Sequence, residues 1–401
     1  MDDWLRPLAV VIDGQLEFGL EVLVSPDGVV EAIRSSSRPP SSFVLSPAFV
    51  NAHSHLEYRG MQDQIPHPEY YEWIYELTRL KPLESPQFVR EQCRLAAREN
   101  RRSGVAWIGE HSDRPGSAEA MLEADLGGWI FHEVITSGSP DFGARMAEIE
   151  SRMEETRRLL DSDHPALSTP NSKLQTPNSP IGTSLNPHAY FTVARDVLRE
   201  LGANQQPSSI HVAETVHESN FTRTGTGPIA DRRRAYGVPF DIYGQSVVEV
   251  LDDLGVLRPG MQCVHCCDVD ARDIEIMAAR GVTVAHCPRS NVRLQCPPAP
   301  VREMLDAGLV IGLGMDSPAS GGAIDMFAEM RAALKVSRER GASVSAVEVW
   351  RMATGDGYRS FGEPGNTAWG IYVGSSTPLI RISIDDAKTI DDVIEHGRVS
   401  L

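Results

Sequence analysis

The chain has 401 residues, of which 41% are hydrophobic and 23% are charged, as is usual for folded globular proteins. Its formal net charge of −17 disfavours binding to nucleic acid or to an anionic membrane surface, although a single arginine in a pocket could hold a small anion. No run approaches the roughly 20 apolar residues of a membrane span, and the acidic residues 1–4 do not resemble a signal peptide. We therefore expect a cytoplasmic protein with a small-molecule substrate.

The two ends of the chain both have the pattern of short β-strands. Residues 5–42 alternate apolar runs with turns, and the Asp-Gly pairs at 13–14 and 27–28 are typical of hairpins. The tail contains the apolar run 379–384, which we expect to join the same sheet. We predict a small β-sandwich built from residues 1–45 and 363–401.

Between these ends, strand patterns alternate with helical patterns, such as those at 144–160, 192–202, 270–280 and 324–337. The predicted strands are 47–53, 105–111, 128–135, 184–191, 208–214, 262–266, 282–287 and 310–315. Alternation predicts a parallel sheet of the α/β class, and eight units predict a (β/α)8 TIM-type barrel over residues 46–362. Residues 161–183 interrupt the pattern with a Pro/Ser/Asn-rich near-repeat, which predicts a disordered surface insertion.

Histidines and acids stand where the predicted barrel strands end. His53 and His55 close the first strand, and residues two apart on a strand point to the same face. The ends of later strands add further candidates: His211, Glu214, His265 and Asp316. Active sites of barrels lie at the C-terminal ends of the strands. The set is sufficient for a mononuclear metal site with an acid/base beside it.

The six cysteines show neither CxxC pairs nor the spacing of a disulfide scaffold, so we expect reduced thiols. Cys266 and Cys267 follow His265 directly, but adjacent cysteines lack the spacing that chelates a metal ion. The sequence therefore favours histidine and aspartate over thiolates as ligands.

Five segments resemble, in order, the motifs of the amidohydrolase superfamily: 47–57, 211–215, 264–266, 287–291 and 314–317. Each segment alone is weak evidence, but their order along roughly residues 45–365 is specific, and residues 352–355 add a further similar segment. The resemblance implies that His53, His55, His211 and Asp316 bind one divalent metal ion. Three imidazoles and one carboxylate suit zinc, with iron as an alternative.

The same resemblance assigns the acid/base chemistry. In the deaminases of this superfamily, the residue that matches Glu214 is a proton shuttle and not a ligand. His265 would orient or polarise the attacking water, and Asp316 could accept its proton. Metal-bound hydroxide would then attack the amine-bearing carbon of a heterocycle.

The fourth predicted strand carries no lysine, whereas binuclear members of the superfamily usually have a bridging ligand there. This absence favours a single metal ion and the deaminase branch. The Pro-His-Ala step at 187–189 resembles that branch, in which the histidine contacts substrate. We assign His188 to substrate, with a ligand role as the lesser alternative.

Two segments after strands are candidates for substrate recognition. In residues 57–82, Tyr71, Ile74, Tyr75 and Thr78 follow helical spacing, which predicts a helix packed on the barrel, an aromatic wall for a heterocycle, or both. Residues 221–228 are rich in Gly, Thr and Arg, and could form either an anion-binding loop or a flexible lid.

Within the deaminases, residues 56–61 and 223–228 most resemble the aminodeoxyfutalosine deaminases of the alternative menaquinone pathway. The implied substrate is an adenine nucleoside bearing a benzoate. The candidate contacts are His188, Glu57, Arg59, Arg223 and Ser139.

Two alternatives remain open. The same site could belong to a deaminase or a chlorohydrolase of another heterocycle, such as S-adenosylhomocysteine, adenosine, guanine or a triazine. A catalytically dead assembly protein would require broken metal positions, and all are intact. Family precedent also suggests a homodimer.

Overall fold

A computed structural model describes residues 4–66, 68–136, 141–161, 181–362 and 369–400. Ser139 and most of the predicted insertion lie outside the described residues. The predicted C-terminal boundary of that insertion is wrong, because residues 181–183 already belong to a strand that pairs with its neighbour from Ile181 onward.

Both chain ends contribute to a two-layer β structure. One sheet has the order β15-β14-β5-β1-β2, and a hairpin of β3 and β4 covers it. The strands are β1 (Ala9–Ile12), β2 (Gln15–Phe18), β3 (Leu20–Val24), β4 (Val30–Ser35), β5 (Phe43–Pro47), β14 (Leu379–Ser383) and β15 (Arg398–Ser400). Val10, Leu45, Val22 and Val30 share one apolar core between the two layers. The turn at Asp13-Gly14 has positive φ at both residues, as the Asp-Gly signal predicts.

Eight parallel strands form the central part of the chain. They are β6 (Phe49–Ser54), β7 (Val105–Ser112), β8 (Gly127–Val134), β9 (Ile181–Pro187), β10 (Ser208–Val212), β11 (Met261–His265), β12 (Thr283–His286) and β13 (Val310–Leu313). They pair in sequence order as two groups of four, β6–β9 and β10–β13. Single bridges, Ala189 to His211 and Ser54 to Asp316, join the groups at both seams. The eight strands therefore close into a cycle, and the predicted barrel is confirmed.

Helices follow most of these strands. They are α1 (Tyr70–Leu80), α2 (Pro86–Arg102), α3 (Ser117–Glu123), α4 (Phe142–Asp161), α5 (Arg195–Ala203), α6 (Val216–Thr224), α7 (Pro228–Ala235), α8 (Val247–Asp253), α9 (Ala271–Arg280), α10 (Pro288–Arg293), α11 (Val301–Asp306), α12 (Pro318–Gly321), α13 (Met326–Arg340), α14 (Ala346–Met352), α15 (Gly355–Arg359) and α16 (Ile390–His396). None of the described helices has the length and apolar character that crossing a bilayer requires.

Local signals explain the ends of these helices. Asp270 caps the start of α9 by accepting from the backbone N–H groups of Arg272 and Asp273, and Gly281 ends it at φ 66°. The four predicted helices correspond to α4, α5, α9 and α13 within a few residues. The predicted loop at 221–228 is wrong in its first half, because residues 221–224 form the last turn of α6 before Gly225 at φ 64°.

The apolar interior of the barrel lies below the strand ends. Val50, Ala52, Phe131 and Val264 pack there with Phe361, and all are buried. This packing fills the centre of the barrel and separates the polar side chains at its C-terminal mouth from those at the opposite end.

Candidate active site

Three strand ends bring the predicted ligands to one place. The Nε2 atoms of His53 and His55 lie 3.6 Å and 3.8 Å from Oδ1 of Asp316. Ligand atoms of His53, His55 and His211 all lie within 4.8 Å of one another, and the same holds for His53, His265 and Asp316. The seam between β6 and β13 fixes part of this geometry, because the Asp316 backbone N–H donates to the His53 carbonyl at 2.9 Å.

The donor set fits a metal ion. His53 is fully buried, and neither of its ring nitrogens has a hydrogen-bond partner in the structure. An unpaired polar group in the interior costs free energy, which coordination would offset. Burial lowers the pKa of His211 to about 4, so this imidazole is neutral, as a ligand must be. His53, His55, His211 and Asp316 can therefore hold a single ion such as zinc.

A second layer of hydrogen bonds directs these ligands. Asp316 accepts on Oδ2 from the hydroxyls of Ser290 at 2.6 Å and Ser320 at 2.9 Å, which leaves Oδ1 facing the histidines. Nδ1–H of His211 donates to the His188 carbonyl at 2.8 Å, which leaves Nε2 free to coordinate. Such partners fix the orientation of metal ligands.

Glu214 and His265 form a pair beside the ligands. The Asn291 amide donates to Nδ1 of His265 at 3.0 Å, so the neutral ring carries its hydrogen on Nε2. That nitrogen lies 3.6 Å from Oε1 of Glu214. Burial raises the pKa of Glu214 well above its usual range, and the nearby charges of Asp316 and Glu218 raise it further. Glu214 can therefore hold a proton at neutral pH and donate it.

Glu218 was not identified from the sequence. It is buried, and it accepts from the backbone N–H groups of Ala213 at 3.2 Å and Glu214 at 2.8 Å. Ala213 has φ of 46°, in the left-handed region that non-glycine residues rarely adopt. Glu218 thus stabilises the strained turn that presents Glu214. The available signal was its position in the first turn of the helix that follows the motif.

The aromatic segment after β6 forms a packed helix, which is one of the two alternatives left open by its spacing. Tyr70, Tyr71 and Trp73 of α1 are buried in one apolar cluster. A hydrogen bond from Tyr70 of α1 lowers the pKa of Glu214 and so opposes part of the rise that burial causes. Before α1, the Tyr58 ring stacks on His55 with centroids 5.3 Å apart. The helix therefore packs beside the site, and an aromatic wall for a heterocycle stays a prediction.

The residues predicted to contact substrate form hydrogen bonds and ion pairs with other groups of the protein. Glu57 is fully buried and accepts from the Arg114 backbone N–H at 3.0 Å. Arg59 pairs with Glu99 at 2.6 Å. Arg223 pairs with Asp270 at 3.3 Å, and His188 Nδ1 hydrogen-bonds to the Thr192 hydroxyl at 2.8 Å. Ser139 lies outside the described residues. Substrate roles for these five residues stay predictions.

Glu133 is a further acidic residue beside the site that the sequence did not indicate. Its Oε1 atom is buried without a hydrogen bond and lies 3.9 Å from Nδ1 of His211. Ligand atoms of Glu133, His188 and His211 also lie within 4.8 Å of one another. A glutamate within a strand pattern has no local signal that reveals such a neighbourhood.

Residues 44–368 match the Amidohydrolase family. The chain belongs to this family. The 5-methylthioadenosine/S-adenosylhomocysteine deaminase of Thermococcus kodakarensis is 30% identical over 398 residues, which cover 94% of this chain and 84% of that protein. The match includes every predicted metal-ligand position of this amidohydrolase.

Two solved structures are similar to this amidohydrolase along its whole length. An adenosine deaminase from Xanthomonas campestris with bound zinc has a TM-score of 0.79 and 22% identity, over 99% of this chain and 91% of that one. Helicobacter pylori aminofutalosine deaminase in complex with methylthio-coformycin also has a TM-score of 0.79, with 16% identity over 99% and 97% of the two chains. At these identities the likeness shows the shared fold.

Proposed function

We propose that this enzyme is a hydrolytic deaminase that releases the 6-amino group of an adenine nucleoside as ammonia. The observation that carries the proposal is the buried Glu214 carboxyl, which lies 3.6 Å from Nε2 of His265 beside the metal-ligand cluster and whose pKa is raised by burial. A relative that matches 94% of the chain is named a deaminase of adenine nucleosides, which supports the same chemistry.

The residues have separate tasks in this reaction. A bound zinc ion would supply Lewis-acid activation of water. Glu214 would donate its proton to the ring nitrogen next to C6, which makes that carbon more electrophilic. His265, held by Asn291, would orient the attacking oxygen with its Nε2–H. Asp316, oriented by Ser290 and Ser320, would accept the proton that the attacking water loses and pass it to the amino group, which leaves as ammonia.

For the substrate, we propose 6-aminodeoxyfutalosine, which would be converted to a futalosine-type product and ammonia in menaquinone biosynthesis. Support comes from the resemblance of residues 56–61 and 223–228 to deaminases of that compound. A second candidate is 5′-methylthioadenosine or S-adenosylhomocysteine, since the Thermococcus kodakarensis relative is named for those substrates.

The test is ammonia release by zinc-loaded enzyme with 6-aminodeoxyfutalosine, S-adenosylhomocysteine, 5′-methylthioadenosine, adenosine, guanine and melamine. We expect the highest kcat/KM with 6-aminodeoxyfutalosine. A preference for another adenine nucleoside would retain the deaminase and overturn the substrate. Silence with every adenine nucleoside would overturn both. The Glu214→Gln variant, prepared in parallel, reports any contaminating deaminase.

A further inference from the structure

A cavity of about 140 Å³ lies outside the barrel wall, beside β7 and β8 and against α4. Arg90, Arg114, His132 and Arg152 contribute to its lining. Successive side chains of a strand point to opposite faces, so His132 faces this cavity while Glu133 faces the barrel mouth. The cavity is therefore separate from the candidate active site.

Two of the three lining arginines already have carboxylate partners. Arg90 pairs with Glu119, and Arg114 pairs with Glu84 at 2.7 Å. Arg152 is different, because its Nε and Nη2 atoms are both buried and neither has a hydrogen-bond partner in the structure. The cavity thus contains a guanidinium group whose donors on one side are unused.

His132 adds a second buried polar position without a partner. The residue is only 4% exposed, and its Nε2 atom is buried without a partner. Burial and the charges of Arg152 and Arg157 lower the pKa of His132 to about 3, so the ring is neutral and offers a hydrogen bond without adding charge.

Unused donors at buried positions are costly unless a ligand or water satisfies them. Nε and Nη2 form one edge of the guanidinium plane, and this edge matches the two oxygens of a carboxylate in a bidentate contact. Glu119 and Glu84 match the charges of Arg90 and Arg114, whereas no carboxylate of the described residues lies within ion-pair distance of Arg152. This balance suits a monoanion better than a dianion such as phosphate.

We propose that this cavity is a binding site for a small monocarboxylate. Arg152 holds the two carboxylate oxygens through Nε and Nη2, and His132 donates a further hydrogen bond from Nε2. The volume of the cavity limits the ligand to a small molecule.

The test is titration of the full-length enzyme with sodium acetate at constant ionic strength, with chloride as the reference anion, followed by calorimetry and melting temperature. We expect saturable binding of acetate that Arg152→Met weakens by at least about tenfold, the loss of one charge-assisted contact. Arg158→Met, on the same helix but exposed and paired with Glu154, is the matched control and should bind like the wild type.

A further variant separates loss of binding from loss of folding. Arg152→Lys keeps the charge but removes the planar edge, so it should fold and still bind acetate more weakly than the wild type. Unchanged binding by Arg152→Met, absence of a saturable acetate effect in the wild type, or tighter binding of inorganic phosphate than of acetate would each overturn the proposal.

Discussion

The metal-ligand cluster and the shell around it hold their charged groups in different ways. The cluster consists of His53, His55, His211 and Asp316, and the shell consists of the predicted substrate contacts Glu57, Arg59, His188 and Arg223. In the cluster, Asp316 is fixed by two serine hydroxyls and His211 by a backbone carbonyl, so their remaining atoms point to one place. In the shell, Arg59 and Arg223 pair with carboxylates of neighbouring elements. The predicted metal ligands are thus oriented without substrate, while the groups predicted to recognise substrate contact other parts of the protein.

The largest effect that follows from this contrast concerns Glu214. Glu214→Gln removes the transferable proton but keeps the shape, so turnover should fall by about a thousandfold or more while zinc remains bound. Ammonia release and zinc content measured on one preparation check this. Glu275→Gln, an exposed glutamate paired with Arg272, is the control. Normal deamination by Glu214→Gln would show that another group shuttles the proton.

A substitution of Asp316 tests the predicted set of metal ligands. Asp316→Ala removes one of four donors and should weaken zinc binding by about a hundredfold, with a parallel loss of activity. Competition with a chelator measures the affinity directly. Asp306→Ala, at the exposed end of α11, serves as the comparison. Full retention of zinc affinity and activity would remove Asp316 from the ligand set.

Buried acids near the barrel mouth predict a dependence of stability on pH. Burial raises the pKa of Glu110 to about 8 and that of Glu329 to about 8, compared with 4.5 for the model compound. Between those values the unfolded chain has lost protons that these two carboxyls retain in the folded chain, so their contribution to the free energy of unfolding should fall as pH rises from about 5 to about 8. Denaturant unfolding across this range measures the slope.

The matched variant for this prediction is Glu110→Gln. Its side chain cannot ionise, so its free energy of unfolding should fall less with rising pH than that of the wild type. Glu119→Gln, paired with Arg90 near the surface, should leave the slope nearly unchanged. An identical slope in the wild type and Glu110→Gln would mean that Glu110 titrates at its ordinary pKa.

The smallest expected effect concerns the shell. If Arg223 contacts a substrate carboxylate, Arg223→Met removes one charge-assisted hydrogen bond and should raise KM for 6-aminodeoxyfutalosine by about tenfold. KM for adenosine, which has no carboxylate, should stay unchanged. Arg272→Met, an exposed arginine nearby, provides the comparison. Equal changes for both substrates would assign Arg223 a structural role through Asp270.

The difference between cluster and shell also explains how far the sequence could predict this molecule. His53 and His55 are fixed by strand register, and Asp316 by its place at the end of a strand, so local patterns located them. The capped helices and the Asp-Gly turn were predictable for the same reason. Each of these features depends on residues close in sequence.

The remaining features depend on partners distant in sequence. Arg59 pairs with Glu99, which lies 40 residues further along the chain, and no local pattern predicts that partner. Residues 181–183 looked like part of a polar insertion, but the edge of β8 pairs with them. Glu133 and Arg152 carry no local signal, because what distinguishes them is a missing partner in three dimensions.

The seam between β6 and β13 has a consequence for how the enzyme matures. The inferred ligand set combines two histidines from the first barrel strand with an aspartate that follows the last one. A nascent chain on the ribosome therefore lacks the complete set until β13 and Asp316 have emerged. Zinc acquisition would thus be a late event in biosynthesis, and fragments cut short by truncation or proteolysis would be unable to retain the ion.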